Sequence, residues 1–220
     1  MIIELGAQLI NLFQHLPEHL QMWAVDYGVG LYAILALIVF CETGLVVTPF
    51  LPGDSLLFAT GALLAHQIPG LDLGTMCVIL ILAAVLGDMV NYHVGKFVAP
   101  RMFKYENSRW LNRKHLDRTH AFYEKHGGKT IILARFMPIV RTYAPFVAGL
   151  SGMRYSSFFF YNVIGAIVWV VSFTCLGFFF GNLPTIKANF QYVILAIIAL
   201  SVLPIGIEYL RARRQMPPAT

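Results

Sequence analysis

Apolar residues fill most of the chain in long runs, and the polar residues that interrupt those runs fall into a few tight groups. The first run starts near Gly28 and continues past Leu64, and it contains Glu42 and Asp54 with Pro49, Pro52, Gly44 and Gly53 between them. Gly28–Val47 could cross a bilayer by length, at about 1.5 Å per residue. The prolines and Gly53 argue against a plain span, because they stop a helix. Asp54 and Ser55 offer an N-cap for a new helix starting at Leu56. That helix is short, since His66, Pro69, Gly70 and Asp72 mark a polar turn. The pattern predicts a re-entrant hairpin over 28–65, of the kind tolerated only inside protein or beside a watery cavity.

The next run, over 73–98, reads as a spanning helix. Asp88, Asn91 and Gly95 lie at i, i+3 and i+7 on one of its faces, so that face is expected to look into the bundle. Residues 99–129 form a polar, basic loop. An amphipathic helix near His115–Lys125 is expected there, where basic residues could meet anionic headgroups. Over 130–152 the first pattern returns: an apolar arm runs into Arg135, Pro138, Arg141 and Pro145, and a second arm ends at Gly149 and Gly152. This is expected to be a second broken hairpin. Spans follow at 158–181, with Asn162 near its start, and at 190–210. The tail is 211–220. Residues 1–27 mix Glu4, His15, Glu18, His19 and Asp26 with leucines near helical spacing, which suggests an amphipathic helix in the interface.

Composition fits this layout. Hydrophobic residues make up 58% of the 220 and charged residues only 12%, with mean hydropathy +0.68. A soluble domain carries about a quarter charged residues. The net charge of +5 would suit nucleic acid, but the Lys and Arg crowd into 96–129 and 211–214. Such residues mark the cytoplasmic side of a membrane protein. The middle loop and the C-terminal tail are therefore expected in the cytoplasm, with no nucleic-acid partner. Residues 1–14 lack the basic start of a cleavable signal. Cys41, Cys77 and Cys175 have neither disulfide nor zinc spacing.

Each half thus reads as a broken hairpin followed by a span, and the basic loop between the halves gives the two spans opposite directions. The expected fold is an all-α polytopic membrane protein made of two inverted repeats, an arrangement common in secondary transporters. Acids occupy one hairpin and arginines the other. Because an ionisable side chain inside a bilayer costs several kcal/mol, the two hairpins are expected to meet there. Which arginine faces which acid is left open.

The run from Phe40 through Glu42 and Gly44 to Pro49, Pro52, Gly53 and Asp54 is recognisable. So are Gly87-Asp88 with Asn91-Tyr92, and Arg135 through Pro138 and Arg141 to Gly149. Together they resemble the DedA family of bacterial inner-membrane proteins, the family with the VTT (SNARE-associated) domain, over about residues 28–210. The resemblance implies that the family's essential acidic pair falls on Glu42 and Asp54, and its essential arginines on Arg135 and Arg141. It also implies proton-linked activity, a role in envelope integrity and, for several members, return of undecaprenyl phosphate across the membrane. Eukaryotic relatives are lipid scramblases.

Two arginines flanking a proline can present guanidinium forks to one phosphate. The expectation is a transporter for a polyprenyl phosphate or a phospholipid. Arg135 and Arg141 would hold its phosphate, Glu42 and Asp54 would carry protons, and Asp88, Asn91 and Asn162 would support them. Pro49, Pro52, Gly53, Pro138, Pro145 and Gly149 are expected to break the helices. Asp54 could instead only cap its helix, and Glu42 only neutralise an arginine. A proton-coupled ion or osmolyte antiporter would use the acids equally well but gives paired arginines no task. A passive scramblase would need a groove and no proton. A lipid phosphatase would need a histidine beside the arginines, and His93 lies at the cytoplasmic end of its span. No enzyme activity, metal or cofactor is expected. Self-association is left open.

Overall fold

A computed structural model describes residues 16–45, 53–103, 128–189, 192, 193 and 196. Within them every regular element is a helix. Helix α1 is Leu16–Tyr27 and α2 is Leu31–Gly44, joined by a single 3-10 turn at Gly28–Gly30. Helix α3 is Gly53–Leu64, α4 is Leu73–Phe103, α5 is Lys129–Ala134, α6 is Pro138–Leu150, α7 is Tyr155–Phe180 and α8 is Pro184–Ala188. Pro49, Pro52, most of the basic loop, most of the expected span 190–210 and the tail lie outside the described residues.

Among the described residues, three stretches are long and apolar enough to cross a membrane: Leu16–Gly44, Leu73–Ala99 and Tyr155–Phe180. The first runs through the boundary expected at residue 27, because the turn at Gly28–Gly30 links two helices with little break. Helix α1 is still two-faced. It buries Leu16, Leu20 and Ala24 at a spacing of four and exposes Met22 and Val25. Helix α4 is longer than the expected 73–98.

The surface of α4 is inverted relative to a soluble helix. Val78, Leu82, Leu86, Val90 and Val94, each four residues from the last, are exposed, while Asp88 and Asn91 are buried. Exposed apolar stripes of this extent mark a lipid-facing surface. Helix α7 repeats the arrangement, exposing Phe160, Ile167, Val171 and Phe179 and burying Asn162 and Thr174.

The packing has a crossed pattern. The first arm of each broken segment lies on the span of its own half, α2 on α4 and α5 on α7. The second arm lies on the span of the other half, α3 on α7 and α6 on α4. Glycines set these crossings. A Cβ at Gly61 would overlap the Thr174 carbonyl, one at Gly177 the Phe58 carbonyl, one at Gly149 the Tyr92 carbonyl and one at Gly95 the Phe146 carbonyl. Small residues let helix backbones approach this closely. The main apolar core joins α1, α2, α3, α4 and α7 through Leu20, Leu35, Leu57, Leu80 and Trp169. A smaller one joins α4, α5, α6 and α7 around Tyr92 and Phe158, whose rings stack with centroids 4.4 Å apart.

The ends of the first broken segment return to one level. The Asp72 amide donates to the Tyr32 hydroxyl at 2.6 Å, and Gly70 lies against Val29. The chain that leaves at the start of α2 is back beside it at the start of α4. There Asp72 caps α4, its Oδ2 accepting from the Thr75 amide at 2.8 Å. This backbone hydrogen bond holds the exposed Asp72 carboxyl below its usual value.

Two sequence expectations about helix ends are corrected. Helix α3 begins at Gly53, so Asp54 lies inside its first turn and does not occupy the N-cap. Its carboxylate is engaged by side chains from other helices. Pro145 lies inside α6 and does not break it. The ring removes the amide that would bond the Arg141 carbonyl, but packing against α4 keeps the helix going. Pro138 does begin a helix, as its first residue, where a missing amide costs nothing. Gly149 sits one residue before the end of α6, and the chain turns at Gly152, whose φ of +75° suits glycine.

Candidate functional site

The broken segments carry the charges. Glu42 stands in the last turn of α2 and Asp54 in the first turn of α3, so both acids come to the gap between those helices. Arg135 stands between α5 and α6, held in a turn, and Arg141 lies one helical turn into α6. All four are buried, as is Asp88 in α4.

Arg141 reaches across to both acids of the other segment. Its Nη2 pairs with Glu42 Oε1, and its Nη1 donates to Asp54 Oδ1 at 2.6 Å. Glu42 Oε1 also accepts from the Gly53 amide at 2.9 Å. A side chain at Gly53 would strike the Glu42 carboxylate, so the close approach of α3 to Glu42 depends on glycine. Asp54 Oδ1 receives a second bond, from the indole N–H of Trp169 in α7, at 2.7 Å.

Arg135 belongs to the spans. Its Nη2 pairs with Asp88 of α4 and donates to Asn162 Oδ1 of α7 at 2.6 Å. Asn162 is itself anchored, its Nδ2 donating to the Val85 carbonyl at 3.2 Å. Asn91 ties both segments to α4, donating from Nδ2 to the Thr43 carbonyl at 3.1 Å and to the Thr142 carbonyl at 2.7 Å. The Trp169 ring joins the two arginine groups. Its centroid is 5.1 Å from Arg141 Cζ and 5.7 Å from Arg135 Cζ, within cation–π range of both.

The residues singled out in the sequence therefore converge on one buried cluster at the junction of α2, α3, α4, α6 and α7. Asp88 has a larger part than a supporting stripe suggests, since it is the direct counter-ion of Arg135. Trp169 escaped the sequence reading, because a tryptophan in an apolar run has an ordinary membrane role. Gly87 before Asp88 is the one local hint of the close contact there, for a Cβ on it would strike Thr43. Among the described residues no group of histidines, cysteines and acids is arranged to hold a metal.

Comparison with known proteins places the chain in a family. The family model described as VTT domain matches residues 51–179, which holds four of the five buried charges. The protein named Protein DedA of Escherichia coli K12 is 53% identical over 94% of both chains. The chain belongs to the DedA family of VTT-domain proteins. An uncharacterized membrane protein of Mycobacterium tuberculosis is 42% identical, over 87% of this chain and 85% of its own. Inner membrane protein YqjA of Escherichia coli K12 is 34% identical, over 74% of this chain and 77% of its own. No solved structure matches. With these relatives and its long lipid-facing helices, the DedA-family chain is a multi-pass membrane protein.

Proposed function

We propose that this protein is a proton-linked transporter that carries a phosphate-headed lipid, of the polyprenyl-phosphate class, across the bacterial inner membrane. The observation that carries the reading is the buried cluster itself. Two arginines at the meeting point of two broken segments are what a phosphate headgroup would require, and the apolar outer faces of α4 and α7 suit a tail left in lipid.

The charge count supports the proton link. Among the described residues, three buried carboxylates, Glu42, Asp54 and Asp88, stand against two buried guanidiniums, Arg135 and Arg141. With all five ionised, these described residues hold one excess negative charge away from water, a state of high cost. A single proton on one carboxylate removes the excess. An arriving phosphate competes with the acids for the arginines and favours further proton uptake, so substrate and proton are coupled.

On this reading the two segments are re-entrant hairpins in inverted repeats. The crossed packing supports it: exchanging the halves maps α2 on α4 to α5 on α7, and α3 on α7 to α6 on α4. The return of the chain from Tyr32 to Asp72 supports re-entry of the first hairpin. The middle loop and tail then face the cytoplasm by their basic charge. Transport rather than catalysis is favoured by the position of His93, which is exposed on α4 and bonded to the Met89 carbonyl.

The test is uptake of a labelled polyprenyl phosphate into proteoliposomes with and without an imposed proton gradient. Gradient-driven accumulation is expected. Equal exchange of ordinary phospholipid with no gradient would make the protein a passive scramblase. Cation- or osmolyte-driven proton flux without lipid movement would make it an antiporter.

A further inference from the structure

The two arginines are not equivalent. Arg141 commits both Nη atoms to carboxylates, one to Glu42 and one to Asp54. Arg135 commits only Nη2, to Asp88 and Asn162. Its Nε and Nη1 are buried and have no hydrogen-bond partner. A guanidinium carries five N–H donors, and buried polar groups are nearly always satisfied. Arg135 is 3% exposed, so water on the outside does not serve these donors. The space beside Nε is bounded by Gly165 of α7, where a Cβ would stand 3.5 Å from Nε and 3.4 Å from Cδ.

We infer that Arg135 is the oxyanion-receiving arginine, that Asp88 is the counter-ion the oxyanion displaces, and that Arg141 with Glu42 and Asp54 forms a clamp joining the two segments. This assignment rests on the phosphate-transport reading and divides its site into a receiving half and a clamping half. The shared ligand chemistry is a phosphate dianion, whether the phosphomonoester of a lipid or free phosphate. It would bond the idle donors of Arg135 and take over Nη2 from Asp88. Asp88 is then a positioning residue: it holds the guanidinium while the site is closed and competes with the ligand for it. Asn162 bonds Arg135 without charge and remains after the exchange.

The experiment measures binding of farnesyl monophosphate and of inorganic phosphate to the full chain in phosphatidylcholine nanodiscs, whose headgroups carry no phosphomonoester. Asp88→Asn removes the competitor and should tighten farnesyl monophosphate binding by about tenfold more than Glu42→Gln does, a difference of about 1.4 kcal/mol. Gly165→Ala tests the site without touching an ion pair. Its methyl fits at ordinary contact distance and covers the Nε donor, so binding should weaken about tenfold with the melting temperature little changed. Stronger tightening by Glu42→Gln than by Asp88→Asn would overturn the assignment and move the receiving role to Arg141, while leaving the phosphate reading standing. If Asp88→Asn does not fold, wild-type affinity in Gly165→Ala overturns the assignment by itself. Binding of inorganic phosphate as tightly as farnesyl monophosphate, with the same response to the variants, would support the receiving arginine and make free phosphate the ligand. A wild-type protein that binds neither probe would defeat both this assignment and the reading beneath it.

Discussion

Glu42 is paired with Arg141, a residue 99 positions later, and the bond joins the last turn of α2 to the first turns of α6. Taking away a buried ion's counter-charge costs about 3–5 kcal/mol; Arg141→Gln takes the guanidinium from both Glu42 and Asp54, whereas Glu42→Gln leaves Arg141 its bond to Asp54. Arg141→Gln should lower the unfolding temperature in detergent more than Glu42→Gln does, and adding Glu42→Gln to Arg141→Gln should recover part of the loss, since Asp54 alone then lacks its guanidinium. Glu42→Gln with Arg135→Gln should show weaker coupling, because Arg135 pairs with Asp88. Equal coupling in both cycles would contradict the pairing. Gradient-driven transport should stay absent in the recovered Glu42→Gln, Arg141→Gln protein if Glu42 carries a proton. Its return would reduce Glu42 to a counter-ion.

Trp169 gives a second test of the clamp. Trp169→Phe keeps a ring over both arginines but loses the donor to Asp54. A hydrogen bond to a charged group contributes about 1.5–3 kcal/mol, so the variant should unfold at a lower temperature than wild type. Trp169→Leu, which also loses the ring, should fall further. A Phe variant as stable as wild type would mean that the indole N–H contributes nothing to holding Asp54.

Membrane orientation is checked by single cysteines on a cysteine-free background. Positions Arg113 and Met216 should label from the cytoplasm and Lys187 from outside. Tyr27 and His66 should label from one and the same side, as the contact of Tyr32 with Asp72 requires for a re-entrant segment. Labelling of Tyr27 and His66 from opposite sides would show that the first hairpin crosses the bilayer.

Asp72 allows an acid test outside the membrane. Its folded carboxyl is held below the usual value by the Thr75 amide, so the ionised form is favoured by folding. The cap's contribution is full above the ordinary carboxylate range and is lost as pH falls through the lowered folded value. The protection factor of the Thr75 amide should therefore drop in acid, and Asp72→Asn should abolish that pH step. An unchanged step in Asp72→Asn would assign it to another group.

What the sequence revealed, and what it hid, follows from the cost of charge. Glu42, Asp54, Arg135 and Arg141 stood out because each interrupts an apolar run where an ion is expensive. A stripe such as Asp88 and Asn91 tells which face of a helix turns inward but not what meets it, so the Asp88–Arg135 pair was not legible. Pro145 predicts a break because proline lacks an amide. Its effect is local, and the packing of α6 on α4 through Gly149 and Gly95 outweighs it. Asp54 has the side chain of a cap, and only the position of Arg141 and Trp169 shows where that carboxylate is used. The join between α1 and α2 was hidden because Gly28 reads as punctuation, while the structure passes through it in one short turn.

The indole of Trp169 has a further consequence, which is optical. It lies against two guanidiniums with its N–H on a carboxylate, so its excited state senses the local field of the whole cluster. The chain has only two other tryptophans, Trp23 and Trp110. With both changed to phenylalanine, the emission of the remaining indole would report each departure of Asp54, and the protein would carry its own dye at the place where its charges meet.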